Sequence, residues 1–360
     1  MKLALISLGG PSSANIVKEA KKYFTHVEQI DIRTLEVHAS SADSLQVFSS
    51  GKELKTFDCV YIRGSHKYTL LQRAVSKAFW NEAYVPIKPS TYSVAHNKFL
   101  TLLELQKNGI HIPKTYFAGT AKAAKKILED VTYPIILKIP HGTQGKGVML
   151  ADSLMAAKTM LDALETFKQP FIIQEYIDTD YTDIRALVVG NKVLAMRRRA
   201  ATEEVRANIH AGGIGEICDL DPTVEQVALK SAKVLGADIC AVDILEGRKP
   251  AVIEVNLSPG LVGISKATKK NVPQMVAKFL AEKTEEFLHQ RASETKHQVV
   301  RDLRLSKGKE VLSVLDVRNG LIRLPKFVTD LSGFTMNDEV TLVVHKGKIE
   351  IRESKVKKDD

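Results

Sequence analysis

The sequence predicts a multi-domain protein with an α/β layer over residues 1–90, an α+β domain over 91–288, a linker over 289–308 and a small β-rich domain over 309–355. Three observations predict it. Strand-like apolar runs alternate with helical stretches as far as Pro89, which is the pattern of a parallel layer. A strand-rich span with hairpin turn signals follows, which points to mainly antiparallel pairing. A polar, charged segment (EEFLHQRASETKHQVVRDLRLSKGKE) then separates both from a last set of short strands.

The first layer opens with the strand KLALISL, followed by an amphipathic helix from Ser13 to Phe24, the strand CVYIR and a helix near Leu70 to Ala83. One helix of about 17 residues is expected from Thr91 to Asn108, with Phe99, Leu102, Leu103 and Leu105 apolar, Gly109 as its stop and Pro113 beyond. It reads as a hinge between domains. Next come PIILKI, GVML, FIIQEYI, then DIRALVV and KVLAMRR joined through Gly190-Asn191, a hairpin signal. The strands DICAVDIL and PAVIEVN flank the turn Glu246-Gly247-Arg248-Lys249, and helices are expected near 153–165, 222–235 and 273–288. The tail reads as VLSVLDV, GLIRLP, EVTLVV and KIEIRE, the last two joined by Lys346-Gly347.

With 360 residues and 44% hydrophobic content, the chain has apolar surface for two or three cores. No apolar run approaches the roughly 18 residues that cross a bilayer, and Met1-Lys2 leads directly into a strand, so a cytoplasmic protein is expected. Cys59, Cys218 and Cys240 are far apart and form no CxxC pair, which argues for core thiols and against disulfides or a thiolate zinc site. The excess of 52 basic over 42 acidic residues, +10, favours anionic partners such as nucleotides, acidic peptides or RNA without choosing among them.

Local chemistry concentrates in the middle domain. In KIPHGTQGKGVML, Lys138 ends a strand and Gly142, Gly145 and Gly147 precede the next. Such a loop lets backbone N–H groups close over phosphate oxygens, with the lysine as a fixed charge beside them. It lacks the GKS or GKT opening a helix, so it is not a Walker loop. Glu254 and Asn256 share one face of the strand AVIEVN, and Asp243 can reach that face from the strand before it. Three such oxygen donors suit Mg²⁺ or Mn²⁺ shared with phosphates and water. The strand FIIQEYI ends in Gln174-Glu175-Tyr176-Ile177, whose backbone suits adenine, and Asp183 and Arg185 follow. Arg185, Arg198, Arg199, Arg206, Asn208 and Gly212-Gly213 add a cationic cluster. No convincing nucleophile pattern surrounds His66, His141 or His210.

Lys98, Lys138 with the glycine loop, QEYI then DIR, VRANIHAGG, AVDIL and EVNLSPGLVGI stand in one order, and in that order the chain from about residue 1 to 285 resembles the ATP-grasp enzymes, RimK-type glutamate ligases in particular. The resemblance implies an ATP-grasp fold and an ATP-dependent carboxylate–amine ligase that forms an amide through an acyl phosphate. It further implies that Lys98, Lys138 and the loop with Gly142, Gln144, Gly145 and Gly147 contact nucleotide phosphates. Glu175, Tyr176 and Ile177 would lie at the adenine, Asp183 at the ribose, and Asp243, Glu254 and Asn256 at two Mg²⁺ or Mn²⁺ ions. Arg206 and Asn208 would sit at the transferred phosphoryl group, and Arg185 and Arg199 near the carboxylates of acceptor or incoming amino acid. One departure is visible: the family usually has Asp before the first lysine, where this chain has Asn97.

The segment from GLIRLP through NDEVTLVV to GKIEIRE resembles AbrB- or MazE-like swapped-hairpin modules, which implies a homo-oligomer, a dimer or tetramer. Arg318, Arg323 and Lys326 offer a basic face, but a dimerisation platform is preferred to DNA binding. The expected partners are L-glutamate and an acidic acceptor, either a protein C-terminus or a glutamyl small molecule. The competing expectation is an ATP-sensing, DNA-binding regulator that uses the tail.

Overall fold

The computed structural model describes residues 1–40, 45–140, 147–166, 170–199, 214–302, 316–318, 321–324, 328, 332–334 and 338–353. The chain divides into two compact units, Met1–Phe287 and Leu288–Asp360.

The first unit begins with β1 (Lys2–Ser7), buried from Leu3 onward as a central parallel strand should be. After α1 (Pro11–Ala20) and β2 (His26–Asp31), a small antiparallel sheet of β3 (Leu35–His38), β4 (Gln46–Ser49) and β5 (Lys52–Glu53) precedes β6 (Cys59–Ile62) and α2 (Thr69–Phe79). β1 pairs in parallel with β2 on one side and β6 on the other, the layer that the alternating pattern predicts. The strand β2 and the short strands β3–β5 were not among the elements expected from the sequence.

The expected single helix over 91–108 is two: α3 (Pro89–Ala95) and α4 (Lys98–Lys107). Apolar spacing continues through the break, so periodicity cannot reveal it. Asn97 makes it, since its Oδ1 accepts from the amides of Phe99 (3.0 Å) and Leu100 (3.1 Å) and caps a new helix. Asn and Asp are equally good caps, which removes the significance of the departure at this position.

Beyond α4 come β7 (Thr115–Phe117), α5 (Ala121–Asp130), β8 (Ile135–Lys138), β9 (Val148–Ala151), α6 (Leu154–Thr166) and β10 (Ile172–Glu175). Their antiparallel sheet, in the order β7-β10-β8-β9, encloses a core of its own with Leu128, Leu137, Leu161 and Ile173. A second antiparallel sheet, in the order β13-β12-β11-β14-β15, contains β11 (Thr182–Val189), β12 (Lys192–Arg199), β13 (Ile214–Ile217), β14 (Ile239–Glu246) and β15 (Pro250–Asn256). It is covered by α7 (Pro222–Leu235) and α8 (Val262–Thr268), with α9 (Val272–Asp302) completing the helices. This sheet shares one continuous core with the parallel layer, from Leu3 and Tyr61 to Val242 and Leu280. The helix α9 runs to Asp302, past the end near 288 that the polar composition suggested.

Cys59 and Cys240 are buried in that core, Cys218 is half-buried, and all three are free thiols. Burial pushes the first two up to about 12, so they pack and do not react. Among the described residues no helix is long and apolar enough to cross a membrane.

Among its described residues the second unit contains two hairpins, β16 (Asp316–Arg318) with β17 (Leu321–Arg323) and β18 (Val340–His345) with β19 (Lys348–Glu353). Leu321, Leu342, Val344 and Ile349 are all exposed on them.

Candidate active site

Strand alternation and register gather the polar residues of the five-stranded sheet on one face. Asp183 lies opposite Arg198, Arg185 opposite Asp243, and Asp243 opposite Glu254. The last pairing depends on a bulge. Asp243 pairs with Glu254, yet its neighbour Ile244 pairs with Val252, leaving Ile253 as the extra residue. In a regular strand Val252 and Glu254 would share a face; the bulge sends Val252 into the core and Glu254 to the site.

The side chains on this face form a connected ion-pair network. Arg185 donates from Nε and Nη2 to the two oxygens of Asp243 at 2.8 and 2.7 Å. Arg198 grips Asp183 in the same way at 2.6 and 2.5 Å, and its Nη2 lies 3.0 Å from Asp243 Oδ2. With its amide turned to satisfy both neighbours, Asn256 donates to Glu254 Oε1 (3.2 Å) and accepts from Arg185 Nη2 (3.3 Å). Lys98 Nζ stands 3.7 Å from Glu254 Oε1.

Lys138, at the end of β8, donates to Gln174 Oε1 at 2.6 Å, and Gln174 donates onward to Thr115 Oγ1 at 2.9 Å. Gln174 is therefore the residue of QEYI that orients the lysine. The base of the glycine loop is closed by Ile139 N–H donating to Gly147 O (3.1 Å), with Gly147 at φ +78° and a built Cβ only 2.0 Å from Ile139. Only glycine fits there. Lys98 N–H donates to Pro140 O (3.1 Å), so the start of α4 is tied to the same loop base.

Burial pushes the Lys138 ammonium down to about 8; the charge of Glu254 opposes that shift and Lys98 reinforces it. Burial also opposes the charge of Asp243, but Arg185 and Arg198 outweigh it and hold its carboxyl below the usual carboxylate range. Burial raises Asp183, and the negative Asp243 adds to that, against the opposing pull of Arg198 and, less, Arg185. Burial would lower Arg198, yet the two aspartates raise it overall.

The structure thus brings together Lys98, Lys138, Arg185, Asp243, Glu254 and Asn256. It treats other candidates differently. Both Asp183 oxygens accept from Arg198 and the side chain is buried, so in this arrangement it positions an arginine and offers no free carboxylate to a ribose. Arg199 is one residue out of phase, on the opposite face, where it pairs with Asp180 at 2.8 Å in solvent. Glu175 is anchored to Lys114, whose N–H donates to its Oε2 (3.1 Å) and whose carbonyl accepts from its amide (2.9 Å); Tyr176 and Ile177 follow, partly exposed. Gly142, Gln144, Gly145, Arg206 and Asn208, with His141, His210 and Gly212-Gly213, lie outside the described residues. Arg198 was missing from the expected catalytic set, and only its phase on β12, opposite Asp183, could have flagged it.

The donor set of Asp243, Glu254 and Asn256 has the chemistry of a hard divalent cation that completes its shell with phosphate oxygens and water. In this arrangement both Asp243 oxygens accept from Arg185, as those of Asp183 do from Arg198, so a cation at Asp243 would take the place of a guanidinium contact. Two carboxylates and an amide on adjacent strands are too few for a closed protein cage, in keeping with the absence of any group of three or more His, Cys, Asp or Glu ligands among the described residues.

Residues 95–280 match the RimK-like ATP-grasp domain family. The chain is 34% identical over 289 residues to a protein of Cellvibrio japonicus named as a probable alpha-L-glutamate ligase, covering 78% of this chain and 96% of the relative. A Coxiella burnetii protein of the same name is 35% identical over 287 residues, with 78% and 95% covered. Among solved structures, the RimK domain ATP-grasp protein of Sphaerobacter thermophilus superposes with a TM-score of 0.60 at 19% identity, over 78% of this chain and 99% of that one. The ATP-grasp ligase PsnB, solved with a phosphomimetic variant of its minimal precursor, Mg and ADP, gives 0.61 at 16%, over 78% and 98%. These structural likenesses show the fold.

Proposed function

Because the chain belongs to the RimK-like ATP-grasp family and is an ADP-forming ligase, we propose that it joins L-glutamate through its amine to a carboxylate of an acidic acceptor. The observation that carries this reading is the sheet face on which Arg185, Asn256, Glu254 and Lys98 form one network, inside the span matched by the family. The alternative, an ATP-sensing DNA-binding regulator, draws no support from relatives named as ligases.

In the proposed reaction an acceptor carboxylate oxygen attacks the γ-phosphorus of ATP and ADP leaves. The glutamate amine then attacks the acyl carbon of the acyl phosphate, loses a proton and expels inorganic phosphate. Lys138 and Lys98 supply positive charge at the glycine loop, where the transferred phosphates would lie. Arg185 faces both Asp243 and Asn256, and its role toward the carboxylates of acceptor or amino acid is assigned by the family resemblance alone. Arg198 acts through Asp183 and Asp243, holding the face rigid. Asp243, Glu254 and Asn256 would hold Mg²⁺ or Mn²⁺, whose chemistry is to neutralise charge on the phosphates. Arg206 and Asn208 are assigned to the transferred phosphoryl group by the family resemblance alone. Catalysis is then positioning and charge neutralisation, with no side-chain nucleophile.

Acceptors of both peptide and small-molecule type suit this reading. PsnB and the macrocyclase MdnC were solved with precursor peptides, which favours testing a peptide C-terminus first. The deciding experiment measures ADP release with Mg²⁺-ATP and glutamate, with and without acidic peptides and glutamyl small molecules, beside mass spectrometry of each acceptor. Glutamate-dependent ADP with a mass gain of whole glutamyl units is expected. ADP release independent of every amino acid, with no mass gain, would overturn the proposal.

A further inference from the structure

A different cation stands at the C-terminal edge of the parallel layer. The loop after β1 and the loop after β6 line a cavity of about 350 Å³ whose lining also includes Lys98, Glu254 and Asn256. Arg63 lines it and is only 5% exposed. Its hydrogen bonds all go to neutral oxygens: Nε to Ser13 Oγ (3.1 Å), Nη1 to the Tyr61 hydroxyl (3.0 Å) and Nη2 to the Pro259 carbonyl (2.7 Å). The arginines of β11 and β12 each meet a carboxylate; among the described residues Arg63 meets none. A buried guanidinium is costly unless its charge is answered; the Tyr61 ring, its centroid 5.6 Å from Arg63 Cζ, answers part of it, and among the described residues one N–H on each terminal nitrogen is left over.

The start of α1 adds to this charge. Its N-cap is Gly10, with no side chain to cap the helix and Pro11 next. Gly10 and Ser13 both line the cavity, so the partial positive end of the helix faces the same space as Arg63.

We propose that this cavity is a carboxylate subsite in which Arg63, supported by the N-terminus of α1, holds the non-reacting carboxylate of a glutamyl dicarboxylate whose reacting end lies toward Lys98, Glu254 and Asn256. The inference rests on the ligase reading and names a substrate anchor within it. A guanidinium with two free N–H groups suits the two oxygens of a carboxylate. Free L-glutamate and a C-terminal glutamyl residue of an acceptor share this chemistry.

Isothermal titration of the whole protein with L-glutamate and, separately, with α-L-glutamyl-L-glutamate, each in Mg²⁺ and ADP, tests the subsite without turnover. Arg63→Gln is expected to weaken at least one ligand by about tenfold or more, and Arg63→Lys by less, with ADP affinity unchanged. The ligand that weakens identifies the source. Gly10→Asp guards against misfolding: a Cβ there meets nothing within 4 Å, and Asp is a good N-cap. That variant should melt no lower than the native protein yet bind the same ligand more weakly, because its own carboxylate takes the N-terminal N–H groups of α1 and adds a negative charge to the cavity lining. Native protein that binds neither ligand, or Arg63→Gln and Gly10→Asp that bind both as the native does, would sink the proposal. Glutamate-dependent ADP release alongside unaltered binding in these variants removes the subsite and leaves the ligase standing; Arg63-dependent binding without any ligation does the reverse.

Discussion

Asp243 lies where two guanidinium groups converge, and its removal leaves Arg185 without a carboxylate and Arg198 with Asp183 alone. Asp243→Ala is therefore expected to cost about 3–5 kcal/mol of stability as well as activity. Glu254 is half-buried, with a loose contact to Lys98 and one hydrogen bond from the Asn256 amide, so Glu254→Ala should nearly keep the native melting curve while turnover drops on the order of 10² or more. Denaturant melts beside steady-state rates separate the two, and normal ligation by Glu254→Ala would refute its place at the cation. Lys138 gives a pH prediction. Its charge is present below about 8 and lost above it, so nucleotide affinity should weaken as pH rises through that value. A flat KM for ATP between about pH 6.5 and 9.5 would contradict this. The carboxylates, the amide and the two lysines were legible because their order along the chain is itself a signal. Arg198 and Arg63 were not: one sits in a run of three arginines that reads as surface, and the other's isolation exists only after β6 packs against the β15 end.

At the scale of elements, the break between α3 and α4 matters most, because Lys98 becomes the first residue of a helix and points from its start. Asn97→Ala should destabilise by about 1 kcal/mol and raise the KM for ATP, whereas Asn97→Asp should match the native protein in both. Equal melting temperatures for all three would show that the cap does not set the helix start. Seven strands of the two antiparallel sheets could be read from turn residues and alternation, whereas the short edge strands β7 and β13 could not. The bulge at Ile253 could not, since an extra residue leaves composition and periodicity almost unchanged and shows only against its partner β14. The helix break was hidden for a similar reason: apolar residues on both sides keep one spacing.

Across the whole molecule, relatives spanning 95–96% of their own length cover 78% of this chain, and the family match ends at residue 280. The hairpins of the second unit expose Leu321 and Val344, each 68% accessible, and isolated two-stranded hairpins are marginal alone. They are expected to be covered by another copy of the chain, so removal of residues 303–360 should lower the number of protomers per particle, read as light-scattering mass divided by chain mass, while nucleotide affinity persists. An unchanged protomer number would rule out assembly through this unit. The first unit, for its part, has two cores, and the smaller one carries β8 with Lys138 while the larger carries Glu254 and Asp243. Separate cores open separately, so backbone amides of β7–β10 should exchange with deuterium faster than those of β11–β15 in the free protein, and slow most when a nucleotide spans the two.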